Sequence, residues 1–214
     1  MAYTFVDLKT KLQTQIGDPN LDSTVMGDAL NYTQQSIFGT FDLTLNSATQ
    51  TNAVAAGANT LTTALPTDFQ RVSNLYISSP VALARSLKNN YISVDAFREL
   101  YPNSGTYTGP LEDWTYWTSI EFAYLADVAY TVKMDYIKTI SMMSADADVP
   151  TIPQSFEELL MLGAKIRVYE QKEDFDYANQ FTNRYADLLE AFTTRYSTRQ
   201  VDNQVVIPGA RSRA

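Results

Sequence analysis

The sequence predicts an α+β fold: a helical bundle of about four helices, interrupted by an antiparallel β insertion and followed by an extended C-terminal arm. Three observations predict it. Apolar residues recur at three- and four-residue steps near both ends, they alternate with period two through much of the middle, and the last stretch keeps neither rhythm. The expected division is 1–40 for the N-terminal helices, 41–150 for the β-rich insertion, 151–192 for a C-terminal helical hairpin and 193–214 for the arm. With 214 residues, 45% of them apolar and 19% charged, the chain has a globular composition and enough length to bury a core.

Two helices come first. Phe5, Leu8, Leu12 and Ile16 fall on one stripe, and Gly17-Asp18-Pro19-Asn20 supplies the breakers that end it. Asp22 or Ser23 caps the next helix, whose apolar positions run from Val25 and Met26 through Leu30 to Ile37 and Phe38, with Gly39 placed as its C′ stop.

The rhythm then changes. Phe41 to Asn46 alternates as a half-buried strand does, whereas Ala48 to Asn59, small and polar with Gly57, reads as a hairpin tip or a flexible loop. Val72, Leu75, Tyr76 and Ile77 mark a strand, and Val94 to Tyr101 a short helix closed by Pro102. Trp114 to Leu125 and Val128 to Tyr136 read as two further strands linked at Ala126-Asp127. The hairpin opens at Pro153, with Ser155 expected to cap and Glu157-Glu158 facing the positive end of the helix dipole. Phe156, Leu159, Leu160 and Gly163 share a face of the first helix; Ala178, Phe181, Tyr185, Leu188, Leu189 and Phe192 share one on the second. Glu173-Asp174 breaks between them, so the pair should pack antiparallel.

Chemistry finds little to work with. The chain has no cysteine and no histidine, which removes disulfides, thiolate nucleophiles and the commonest general base and metal ligand. Glu157 and Glu158 are adjacent on a helix and do not face each other, so they read as dipole partners rather than an acid–base pair. Asp146-Ala147-Asp148 starts like a calcium loop but lacks the glycine of the sharp turn and meets Pro150, so it reads as a turn. No glycine-rich phosphate loop, serine elbow or metal-ligand spacing appears. No catalytic residue, cofactor site or metal site is therefore assigned, and the expectation is a protein that is not an enzyme. No apolar run reaches the roughly 18–20 residues of a membrane span, and the first residues lack the basic and apolar regions of a secretory signal, so neither membrane nor export is expected.

Charge is unevenly spread. Arg195, Arg199, Arg211 and Arg213 against Asp202 give the residues after Phe192 a formal +3, leaving −11 for the rest of a chain whose total is −8. An acidic body without a basic stripe is not that of a nucleic-acid binder. The basic end is either a frayed terminus or a segment that lies on something acidic. Its Val205-Val206-Ile207, ended by Pro208, is apolar enough to need a partner, which a strand added to another subunit's sheet would supply. Tyr107, Trp114, Tyr116, Trp117 and Tyr124 form an aromatic group suited to packing or a protein interface, with sugar stacking as the rival use.

The order of segments resembles the head–tail adaptor (connector or head-completion) proteins of tailed bacteriophages. The pieces that carry this are the Leu8-Leu12-Ile16-Gly17-Asp18 helix, Leu65-Pro66-Thr67-Asp68-Phe69 with the strand after it, and Val94 to Pro102. Met134-Asp135-Tyr136, Ser141 to Asp148 and the run from Ile152 to Leu160 followed by Gly163-Ala164 complete the set. They cover roughly residues 5 to 192. The Ala48–Asn59 stretch has no counterpart among them. The resemblance implies a virion protein, made in the host cytoplasm, that forms a ring, commonly of twelve copies, bolted to the portal protein. It further implies a lumen through which DNA passes without sequence-specific binding, and C-terminal arms reaching the portal or a neighbouring copy. Carried onto this chain, the arm contacts are expected at Arg195, Tyr196, Arg199, Val205, Val206, Ile207, Arg211 and Arg213. Contacts with tail proteins, of nozzle or tail tube, are expected at Tyr107, Trp114 and Trp117. The alternatives are a tail-completion or nozzle ring, and, outside that class, a carbohydrate-binding module using Trp114, Tyr116 and Trp117.

Overall fold

The computed structural model describes residues 3–197. Helices and strands are both present, in an α+β arrangement that divides into two compact units: residues 1–45 with 142–214, and residues 46–141.

The first unit is helical. Helix α1 (Phe5–Ile16) starts at a full capping box, with Thr4 as N-cap and Asp7 returning the bond, and stops where Gly17 takes φ 73° and its N–H reaches Gln13 O. Helix α2 (Ser23–Thr40) is capped by the Asp22 side chain on the Thr24 N–H. Gly39 is not its stop: it lies inside the last turn, and Phe41 closes the helix by donating to Ile37 O. Leu8, Leu12, Leu30 and Ile37 are buried, with Leu159, Leu160, Ala164 and Val168 of helix α4 (Glu157–Gln171). The segment before α4 is pinned by buried side chains of α2. Asn31 donates to Met143 O and accepts from its N–H, and Gln34 accepts from Thr151 N–H.

Helix α4 does not use Ser155 as a cap. Pro153 instead begins a 3₁₀ turn, Gln154–Phe156, that runs straight into the helix, and no side chain caps it. Helix α5 (Phe175–Tyr196) follows a turn in which Asp174 caps its first N–H groups. Contacts step in opposite senses along the two helices: Tyr169 stacks on Tyr177, Lys165 sits over Phe181, and Phe156 meets Phe192. The pair is thus antiparallel. The link is a Schellman closure, with Glu173 N–H on Glu170 O and Asp174 N–H on Tyr169 O, and Glu173 holds φ 59° where glycine is usual.

The second unit is built on an antiparallel sheet of β1 (Ser47–Val54), β2 (Phe69–Ser79), β3 (Arg85–Ser86) and β8 (Tyr130–Lys138), in the order β1-β8-β2-β3. Its core face carries Val54, Leu75, Ile77, Tyr130, Val132 and Met134, packed with Leu87, Leu111, Trp114, Ile120 and Phe122. Helix α3 (Val94–Leu100) buries Phe97 and ends just before Pro102, as its sequence predicts.

Three β expectations change. Phe41 to Asn46 is not a strand; Leu43 makes an isolated bridge with Ser197 and Thr44–Asn46 is a 3₁₀ turn. The strand lies instead in the Ala/Thr/Asn stretch expected to be a tip or loop. There it is an edge strand, needs only its alternate residues to face inward, and is held by a full ladder to β8. Trp114 to Leu125 is not one strand but a hairpin of β5 (Trp114–Tyr116) and β6 (Ile120–Phe122), pairing Trp114 with Phe122. Because the turn keeps the even-numbered positions in phase, alternation ran through it unbroken. The third departure is a short parallel pair, β4 (Thr108–Gly109) with β7 (Leu125–Ala126), in an insertion expected to be antiparallel throughout.

Candidate functional site

The residues singled out from sequence separate into three groups. At the end of α5, Phe192 and Tyr196 lie one turn apart on the stripe facing α4, and their rings meet Phe156 at 5.1 and 5.9 Å between centroids. Phe38 of α2 meets Phe192 edge-on at 6.3 Å, and the Arg195 guanidinium lies over both Phe156 (5.9 Å) and Tyr196 (5.5 Å). Arg195 and Tyr196 are thus not part of an extended arm. They complete the last helical turn, because the i, i+4 aromatic spacing from Phe192 rewards continuing the helix onto Phe156. Arg199, Val205, Val206, Ile207, Arg211 and Arg213 lie outside the described residues.

The aromatic group of the second unit splits between core and surface. Trp114 is 4% exposed and its Nε1–H donates to Leu87 O at 2.7 Å, so it is a core residue and withdraws from the expected tail-protein contact. Tyr116 rests on Phe69 at 5.0 Å. Trp117, in the β5–β6 turn, and Tyr107, just before β4, are each 69% exposed. A three-ring sugar platform of Trp114, Tyr116 and Trp117 is not formed. Beside this core lies a hollow of about 290 Å³, bordered by Arg71, Asn74, Lys88, Tyr91, Trp114 and Tyr116. The first unit has another, of about 240 Å³, where Arg167 lies 4.4 Å over the exposed Tyr32 ring beside Asp28, Gln35 and Gln171. That cation–π pair has no signal in linear sequence, since its partners are 135 positions apart.

The acidic candidates are committed to structure. Glu157 takes the Lys11 ammonium at 2.6 Å, and Glu158 takes Arg184 through Nε at 3.1 Å and Nη2 at 3.3 Å, which ties α4 to α1 and to α5. Asp148 accepts the N–H groups of Ser144 and Ala145, and those bonds hold its carboxyl below the usual range; Asp146 pairs with Lys9 at 2.9 Å. The Asp146–Asp148 stretch is a turn that also receives the first N–H groups of α1, from Phe5 and Val6. Among the described residues no three acidic side chains gather to hold a metal ion, and no helix is long and apolar enough to cross a membrane.

The acidic candidates are thus taken up in ion pairs and turn bonds, and of the aromatic candidates Tyr107 and Trp117 stand exposed. The model of the family described as SU10 adaptor protein matches residues 3–208, and the chain belongs to that family. It is a family of structural phage adaptor proteins, and membership implies a virion component that contacts other phage head and tail proteins. No curated protein matches the chain.

Proposed function

We propose that the protein is a head–tail adaptor that assembles into a ring, of twelve copies, between the portal protein and the tail, with the genome passing through its lumen. The observation that carries this reading is the family match, which takes in both compact units rather than one. The helical hairpin is the ring contact. Along the 22 residues of α5 only Ala178 and Phe192 are buried, while Phe181, Tyr185, Leu188 and Leu189 are half-buried and can close against a neighbour. Arg199, Arg211 and Arg213 make the cationic arm that holds the portal, and Trp117 and Tyr107 are the contacts toward nozzle or tail-tube proteins. A net −8 keeps the lumen from gripping DNA, because like charges oppose phosphate contact.

Co-sedimentation with purified portal rings, followed by negative-stain imaging, tests this. The full chain should cap the portal with a ring. A chain ending at Ser197 should keep its circular dichroism spectrum and lose the portal. Undiminished portal binding by the shortened chain would remove the arm from that contact, and full-length rings that bind tail but never portal would make the protein a tail-side component instead.

A further inference from the structure

The sheet of the second unit has one edge that its own chain covers only in part, where residues 62–64 reach Ala53 and the Gln50 side chain. Strand β1 pairs with β8 over its whole length without a register shift, whereas β2 is broken by three. Successive residues of an edge strand point their backbone groups alternately to the partner and outward. Thr62 N–H bonds to Ala53 O at 2.9 Å, which fixes the odd-numbered residues of β1 as the outward set. Thr62 closes the edge at Ala53, but the outward N–H and C=O groups of Thr49 and Thr51 have no partner within the described chain, and both residues are exposed. Proteins that keep such an edge to themselves mark it with charge, proline or a bulge. Here β1 has none of these, and no charged residue occurs from Leu43 to Thr67.

The chain also supplies a strand in search of a sheet. Residues 198–214 span up to about 55 Å when extended. Within them Val205-Val206-Ile207 is a β-branched run that Pro208 terminates, suited to pairing and too apolar to leave in water. We propose that residues 204–207 of one copy add as a further strand to the outer edge of β1 in a second copy, bonding to the main chain of Thr49 and Thr51. This rests on the ring reading above. It divides the arm: the β-branched run locks one adaptor to the next, and Arg211 and Arg213, beyond Pro208, continue toward the portal. Pairing along this edge runs through the main chain, so the contact needs strand geometry rather than particular side chains of β1.

The absence of native cysteine makes the test direct. Thr51→Cys is prepared with one affinity tag and Val206→Cys with another; the two are mixed, assembled on portal rings and mildly oxidised. Paired strands bring Cα atoms within about 4.5–5.5 Å, inside disulfide range, so a dimer carrying both tags should form. Val205→Cys and Ile207→Cys scan the register, and Val81→Cys, exposed but off this edge, should give no such dimer. Adding Thr49→Pro to the Thr51→Cys chain removes an outward N–H and the Thr49 Oγ1–Asp135 bond of 2.6 Å but leaves the main-chain ladder to β8, so it should abolish the dimer while the chain still unfolds in one cooperative transition. Rings that assemble on the portal without any mixed dimer would overturn this proposal and leave the ring intact. Folded chains that form no ring would overturn the ring reading and this proposal with it. A Thr51→Cys/Val206→Cys chain that closes only on itself within assembled rings would place the strand on its own sheet, which also overturns it.

Discussion

Gly163 of α4 lies against side chains of both α2 and α5, and Gly163→Ala is predicted to destabilise the protein. In an open helix interior this change is worth about 1 kcal/mol in favour of alanine. Here the added Cβ would stand 2.3 Å from Thr33 Cγ2 on α2 and 2.9 Å from Tyr185 Cε2 on α5. Thr33 is 3% exposed, and its hydroxyl is held on Ala29 O at 2.8 Å, so the methyl cannot swing aside without breaking that bond or leaving its rotamer. Overpacking of this kind costs ~1–3 kcal/mol, and the lost hydrogen bond adds ~0.5–1.5 kcal/mol. Set against the helix gain, the net loss should be about 1–3 kcal/mol, read as a lower urea midpoint at unchanged slope. Thr33→Ala removes the clashing methyl, so the double variant should be less damaged than the sum of the singles by about 1 kcal/mol or more. A stabilised Gly163→Ala protein, or a double variant showing no coupling, would refute the close approach of α2 and α4 as the reason for glycine here.

Asn52 lies 2% exposed on the core face of β1 with neither side-chain polar atom bonded, opposite Val132. Asn52→Val should therefore raise unfolding free energy by about 1–2 kcal/mol in urea melts, and a loss would show that the amide has a partner. Glu173→Gly, relieving φ 59° in the hairpin link, should gain about 0.5–1 kcal/mol after glycine's entropy cost; a lower thermal midpoint would contradict it. Asp148 has its carboxyl pKa depressed by two backbone N–H bonds, so its contribution is full above the unfolded value near ~4 and fades as pH falls through the folded one. Asp148→Asn should thus be less stable than the parent at neutral pH, with the gap closing under acid; a gap independent of pH would exclude the carboxylate.

The helices were legible from their three- and four-residue apolar spacing, with α1, α2 and α5 also marked by a local signal at one end. Gly17 ends α1, Asp22 opens α2 and the Glu173-Asp174 break precedes α5 as read, whereas the Thr4–Asp7 capping box of α1 and the capping bond of Asp174 emerge only in the fold. Ends set by distant contacts were not. The last turn of α5 depends on Phe156 receiving Phe192 and Tyr196, a contact across the hairpin. Strand β1 was hidden because an edge strand is defined by its ladder to β8, some 80 residues on, rather than by its own small polar side chains. Trp114 and Trp117 looked alike in sequence; only the hairpin between them sends one ring to the core and the other to the surface.

The helical unit draws on stretches before residue 46 and after residue 141, and the continuous stretch between them in sequence completes its own sheet. During synthesis the sheet can therefore close while α4 and α5 have yet to leave the ribosome. The apolar stripe of α1 and α2 waits for Leu159, Leu160 and Val168, a delay on the order of ten seconds at ordinary elongation rates. A nascent chain long enough to bring Ser141 out of the exit tunnel would carry a finished insertion and two unpartnered helices, so chaperone demand should peak there.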